Sequence, residues 1–138
     1  MNTARTFLVK TFIPALALIL LLPFNGAARA GDITQRELLQ RLDHHDAPLI
    51  IDVRKPDEYA AGHVPGATNI PHTEIAARLN ELGNDKQKEV VVYCESGRRA
   101  AIAKGILEKA GFTQVRHLEG DMRGWRERNL PHVAPDSQ

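Results

Sequence analysis

Cys94 is the only cysteine among 138 residues, and it stands at a corner where chemistry is easy to arrange. The run Val90-Val91-Val92-Tyr93 leads into it, and Glu95-Ser96-Gly97-Arg98-Arg99 follow before a helix-like run from Ala100 to Ala110. A nucleophile between a strand and a helix lies among backbone N–H groups that have no intrahelical partner. Together with the positive end of the helix dipole, those groups favour an anion. The same field favours thiolate, the reactive form of cysteine. Gly97 lets the backbone approach a bound atom closely. Arg99, and with it Arg98, supplies charge-assisted hydrogen bonds to an anionic substrate. The plain alternative is a buried structural cysteine closing a strand, and the glycine and two arginines argue against it.

The spacing narrows the chemistry. Cys94 to Arg99 reads C-x-x-G-x-R, whereas a phosphate-monoester loop of the C-x5-R type needs its arginine at position 100, which is Ala100. A loop one residue too short to wrap a tetrahedral phosphate still suits a single sulfur atom or one face of a small oxyanion. In this it resembles the six-residue active loop of the rhodanese-like sulfurtransferases. A second, independent block resembles the N-terminal signature of the same family: Asp52-Val53-Arg54, Glu58-Tyr59, Gly62-His63-Val64-Pro65-Gly66-Ala67 and Asn69-Ile70-Pro71. Leu118-Glu119-Gly120-Asp121-Met122-Arg123-Gly124-Trp125 resembles its closing motif, with Asp121 where a second glycine is common. A left-handed backbone position there suits Gly best and tolerates Asp. The resemblance covers about residues 33–130.

That resemblance implies sulfane-sulfur transfer. The Cys94 thiolate would attack the outer sulfur of a donor such as thiosulfate, sulfite would leave, and a thiol or cyanide would collect the sulfur from a Cys94 persulfide. Cys94 is then the catalytic residue. Arg99, Arg98, Gly97, Ser96 and Glu95 form the anion-binding loop, with Asp52 and Arg54 supporting it at the site mouth. Glu95 is expected to face away from an anionic donor. Ser96 is open between bonding the persulfide and bracing the loop. His63 is structural in the resembled family rather than a base for Cys94. No metal and no organic cofactor is required; the pair His44-His45 has no third ligand at a recognisable spacing. The serious alternative is a rhodanese-like module that carries sulfur for a partner with little turnover of its own. A cysteine phosphatase or arsenate reductase is disfavoured by loop length. A thiol–disulfide oxidoreductase is disfavoured because no C-x-x-C exists.

The elements that must position these residues alternate. Thr34 to Glu37 forms a T-x-x-E capping box, and Leu38, Leu39 and Leu42 follow at helical spacing to about Asp43. Leu49-Ile50-Ile51-Asp52-Val53 is a buried strand with Asp52 near its C-terminal end, where ligands gather in open α/β sheets. Pro56 to Ala61 reads as one or two helical turns, and Ala67 to Ile70 as a short strand. Glu74 to Leu82 reads as a short amphipathic helix, Glu89 to Tyr93 as the central strand, and Gln114 to Leu118 as a last strand. Trp125 belongs to the core, and Pro131 to Gln138 reads as a loose polar tail. The expected fold is one α/β domain, a doubly wound parallel sheet flanked by helices.

Residues 1–30 stand apart. Arg5 and Lys10 precede an apolar run from Phe12 to Leu22, and Ala28-Arg29-Ala30 matches a small-x-small cleavage site, the layout of a signal peptide cut after Ala30. The run falls short of the roughly 20 apolar residues that span a bilayer. The expectation is an exported, periplasmic protein, with the domain over residues 31–138. Removing 1–30 takes away three of the 18 basic groups and none of the 17 acidic ones, so the net charge goes from +1 to −2. That balance gives no case for nucleic acid or an anionic membrane as a partner. The expected partners are the small-molecule sulfur donor and acceptor, and the expected state is a monomer.

Overall fold

The structure, a computed structural model, describes residues 31–135, so the expected signal peptide lies outside the described residues. Two apolar runs make the centre: β1 (Leu49–Asp52) and β3 (Glu89–Tyr93) pair in parallel with Ile51 opposite Val92 and Asp52 opposite Tyr93. β2 (Thr68–Asn69) flanks β1, and β4 (Gln114–His117) flanks β3, giving a four-stranded parallel sheet in the order β2-β1-β3-β4. The doubly wound parallel sheet is as expected. In-register pairing brings the C-terminal ends of β1 and β3 side by side, so Asp52 and Cys94 open onto the same edge.

Alternation along the strands divides the core in two. Ile51, Val90, Val92 and Cys94 face α3 (Arg98–Lys109), burying Ala100, Ala103 and Leu107. Ile50, Val91 and Tyr93 face the other side, against Leu38 of α1 (Gln35–Asp43) and Met122 and Trp125 of α4 (Asp121–Glu127). α2 (Pro56–Ala61) buries no residue fully and leans on the second layer through Tyr59. Trp125 is in the core, fully buried.

Several boundaries differ from expectation. Glu74 to Leu82 is not one helix but two 3-10 turns, Ile75–Ala77 and Leu79–Leu82. A segment this short has little helical stability of its own. Ile75 and Leu82 are both drawn into the core, and Arg78 ties Glu74 and Glu81 across the junction. The capping box is half made: Thr34 Oγ1 accepts from the Glu37 N–H at 3.1 Å, but the Glu37 carboxylate is taken by Arg116. The tail is not loose through Val133. Its backbone exchanges two hydrogen bonds with His63, and Trp125 Nε1–H donates to the Pro131 carbonyl at 2.8 Å. α4, a short helix that the sequence reading did not mark, follows Gly120. Among the described residues no helix is long and apolar enough to cross a membrane.

Candidate active site

Cys94 follows β3 directly and is 1 % exposed. The chain then turns through Glu95 and Ser96 to Gly97, whose φ of +107° only glycine adopts without strain. That turn aims the Gly97 N–H back at Cys94 Sγ, 3.0 Å away. α3 begins at once, at Arg98 rather than at Ala100, so the sulfur sits at the N-terminal mouth of a twelve-residue helix. Gly97 thus supplies the loop N–H group that meets the sulfur, and the free helix end lies beside it.

The two arginines separate. Arg98 is exposed. Arg99 folds over the site and grips Glu58 of α2 with both ends of its fork, at 2.6 and 2.8 Å. Those bonds raise its affinity for a proton further, and the nearby Cys94 sulfur adds a smaller contribution. In return the Arg99 guanidinium holds the Glu58 carboxyl down at about 2. Glu58 also accepts from the Lys55 N–H at 3.1 Å, closing the first turn of α2.

Asp52 and Arg54 form a buried ion pair. Arg54 Nε donates to both Asp52 oxygens at 3.0 and 3.1 Å, and Nη2 donates to Asp52 at 2.6 Å and to the Gly62 carbonyl at 2.7 Å. Burial works against the Arg54 charge, and the Asp52 bonds outweigh it, so its proton is held more firmly than usual. Burial likewise drives the Tyr93 phenol well above its ordinary range, with Asp52 adding to the shift. The Tyr93 oxygen accepts from the Val64 N–H at 3.0 Å, fixing the turn of the Gly62-to-Ala67 block. His63 stacks on Tyr59 with ring centres 3.6 Å apart and bonds the Tyr59 carbonyl, a structural place.

Glu95 turns to Arg126 of α4 and lies 3.8 Å from Arg54. Expected to face away from an anionic donor, it lines a cleft of about 350 Å³ with Arg54, Glu58, Gly62, Met122 and Arg126. Ser96 is exposed.

The sequence reading missed two residues behind the loop. Asp121, only 3 % exposed, accepts from the Cys94 N–H at 2.9 Å and pairs with His117 Nε2 at 2.9 Å. The signal was available: an aspartate stood where a left-handed turn favours glycine, and its φ is +52°. Two further N–H groups of α4, from Met122 and Arg123, donate to the carbonyls of Cys94 and Glu95 at 3.0 and 3.1 Å. The peptide bearing the nucleophile is therefore gripped on both sides. Among the described residues no group of three or more His, Cys, Asp or Glu side chains could hold a metal ion.

A parallel sheet with a lone cysteine at the mouth of a helix and an arginine beside it defines a class. The rhodanese-like domain profile matches residues 34–128, and the chain belongs to that family of sulfurtransferases and sulfur carriers. A sulfurtransferase of Allochromatium vinosum is 36% identical over 106 residues, covering 77% of this chain and 97% of the relative. YrkF of Bacillus subtilis, whose name assigns it provisionally to the sulfur carriers, is 34% identical over 101 residues. That match covers 73% of this chain and 54% of YrkF. Among solved structures, the human single-domain sulfurtransferase TSTD1 superposes with a TM-score of 0.64 at 29% identity, over 70% of this chain and 96% of that one.

Proposed function

We propose that the protein moves sulfane sulfur from thiosulfate or a similar donor to a thiol or cyanide, through a persulfide on Cys94. The observation that carries this reading is the Gly97 N–H held 3.0 Å from Cys94 Sγ at the open end of α3. The Cys94 thiolate attacks the outer sulfur of thiosulfate, the donor's S–S bond breaks, and sulfite leaves with the electron pair. The resulting persulfide carries its charge on the outer sulfur, where the Gly97 N–H, the helix end and Arg99 favour it. Cyanide then attacks that sulfur; thiocyanate leaves and the thiolate returns. Arg99 is the anion contact and Arg98 is free to meet solvent. Asp52 and Arg54 keep the neighbouring loop in place.

One observation favours the carrier alternative. Arg54, Arg99 and Arg126 are each already paired with a carboxylate, so a dianionic donor gains one of these guanidinium groups only by competing with that carboxylate. Loading by free thiosulfate would then be slow, and a persulfide delivered by a partner would bypass that step. The two readings are separated by intact mass after thiosulfate treatment, with Cys94→Ser alongside, followed by cyanide and a turnover measurement. Gain of one sulfur on the wild type alone, released as thiocyanate, supports transfer through Cys94. Fast turnover marks an enzyme, and stable loading with slow turnover a carrier. No mass gain from thiosulfate or a polysulfide refutes both.

The location is part of the same proposal. The basic N-terminus, apolar run and Ala28-Arg29-Ala30 site support export to a periplasm. Recovery of a periplasmic form beginning at Gly31 is the expected result, and a cytoplasmic chain retaining residues 1–30 refutes it.

A further inference from the structure

Behind the loop, the His117–Asp121 pair has a place that reaches both ends of the nucleophile's surroundings. Asp121 Oδ1 takes the Cys94 N–H at 2.9 Å. On the other side of the turn, a Cβ built on Gly97 would lie 3.1 Å from Asp121 Oδ2 and 3.3 Å from His117 Cε1. Gly97 supplies the N–H that meets Cys94 Sγ, so the pair packs beneath both the residue that bears the sulfur and the residue that holds it. Asp121 keeps this position at a positive φ of +52°, in the left-handed region that costs a non-glycine residue energy. A glycine would relieve that strain, but it would leave the Cys94 N–H without its acceptor.

A carboxylate here is an electrostatic problem for an anion-handling site. Alone, its charge opposes both a thiolate on Cys94 and any anion approaching it. His117 resolves this when protonated, because imidazolium and carboxylate together carry no net charge. We propose that His117 and Asp121 are positioning residues that fix the Cys94 peptide and, through the protonation state of His117, set how readily the loop accepts an anionic reaction partner. The inference rests on Cys94 as the nucleophile, but not on sulfur as its cargo.

The surroundings of His117 agree. The Asp121 hydrogen bond raises its pKa above the ordinary 6.5, half-burial opposes the rise, and Asp121 and Asp32 add to it through their charge while Lys104 counts against it. Those groups come from α4, from the segment before α1 and from α3; the fourth neighbour, Gly97, carries no charge. The paired, charge-compensated loop is therefore the form present below the His117 pKa. Above that pKa the uncompensated carboxylate remains.

The test compares an anionic and a neutral reagent at the same sulfur. Cys94 is alkylated with iodoacetate and with iodoacetamide from pH 5.5 to 9.5 and read by intact mass, with Cys94→Ser as the blank. The rate ratio cancels the titration of Cys94 itself, since both reagents need the thiolate. In the wild type the iodoacetate-to-iodoacetamide ratio is expected to fall about three- to tenfold as His117 loses its proton, a loss of charge compensation close to the sulfur. In His117→Gln the step is absent, even though His132 at the nearby cleft is intact. In Asp121→Asn, which keeps an oxygen acceptor for the Cys94 N–H, the step moves to lower pH together with the His117 ring-proton titration followed by NMR. A merely structural role would change both reagents alike and leave the ratio flat. A wild-type ratio without a step, or the same step at the same pH in His117→Gln, overturns the inference. If His117→Gln does not fold, the Asp121→Asn shift decides, and an unmoved midpoint overturns it. Because no sulfur donor enters, failure here is distinct from failure of thiosulfate to load Cys94.

Discussion

Replacing Glu58 by Gln asks whether Arg99 is the group that receives an anionic donor. In the structure that arginine is engaged: both ends of its fork bond Glu58, at 2.6 and 2.8 Å. The pair is partly open to solvent, with side chains 23 % and 29 % exposed, which places its net worth near the upper end for exposed pairs, about 1 kcal/mol. A sulfonate that takes the place of Glu58 must first give back that amount. Gln is isosteric, cannot carry the charge, and keeps an oxygen for the Lys55 N–H, so α2 retains its first turn. Half-saturation of Cys94 loading by thiosulfate is therefore expected to fall about fivefold in Glu58→Gln, the equivalent of ~1 kcal/mol. Arg99→Ala is expected to raise it by at least as much. The assay is single-turnover loading read by intact mass across thiosulfate concentrations at low ionic strength, where a charge effect is least screened. A half-saturation that is unchanged or higher in Glu58→Gln refutes the reasoning. It would mean that Glu58 aims Arg99 at the site rather than competing for it.

The other predictions are brief. Asp52→Ala leaves the Arg54 guanidinium 3 % exposed with no carboxylate in hydrogen-bond reach, and unfolding in urea should show a loss of about 3–5 kcal/mol. The double variant Asp52→Ala with Arg54→Met should recover most of that loss, and a single-variant cost below about 1 kcal/mol would contradict a buried pair. Glu58, with its folded-state pKa lowered from 4.5 to about 2, adds stability that is present above its unfolded value and lost as pH falls through about 2. The stability difference between wild type and Glu58→Gln should thus be largest near neutrality and vanish toward pH 2. A difference that is independent of pH would show that the ion pair is not its source.

The fold was legible where local chemistry and burial agree. Val90 to Tyr93 and Leu49 to Asp52 are apolar runs of strand length, and both became buried central strands. Gly97 marked the turn after Cys94, but the helix begins at Arg98, two residues before the expected Ala100, because the turn at Gly97 leads straight into it. Elsewhere tertiary contacts decided. Ile75, Leu79 and Leu82 have helical spacing, but the segment is short and its two ends are pulled into the core separately, so two tight turns replace one helix. Arg99 and Glu58 are 41 positions apart, and nothing in the spacing announces that they pair. The same holds for Asp121 and Cys94, 27 positions apart. Only the presence of an aspartate in place of glycine hinted that this turn had a further duty. The tail through Val133 looked polar and loose because a backbone bridge leaves no trace in side-chain pattern.

The grip of α4 on the nucleophile has a consequence for how the site comes into being. Cys94 and its loop are made before the residues that hold their peptides: the hydrogen bonds come from Asp121, Met122 and Arg123, and α4 is in turn fastened through Trp125 to Pro131. A chain still emerging from its point of synthesis carries the cysteine without its mould. The thiol gains its hydrogen-bonded setting only once residues 121–131 have been made and packed behind it. The setting of the nucleophile is in this way supplied by a segment 27 or more positions further along the chain.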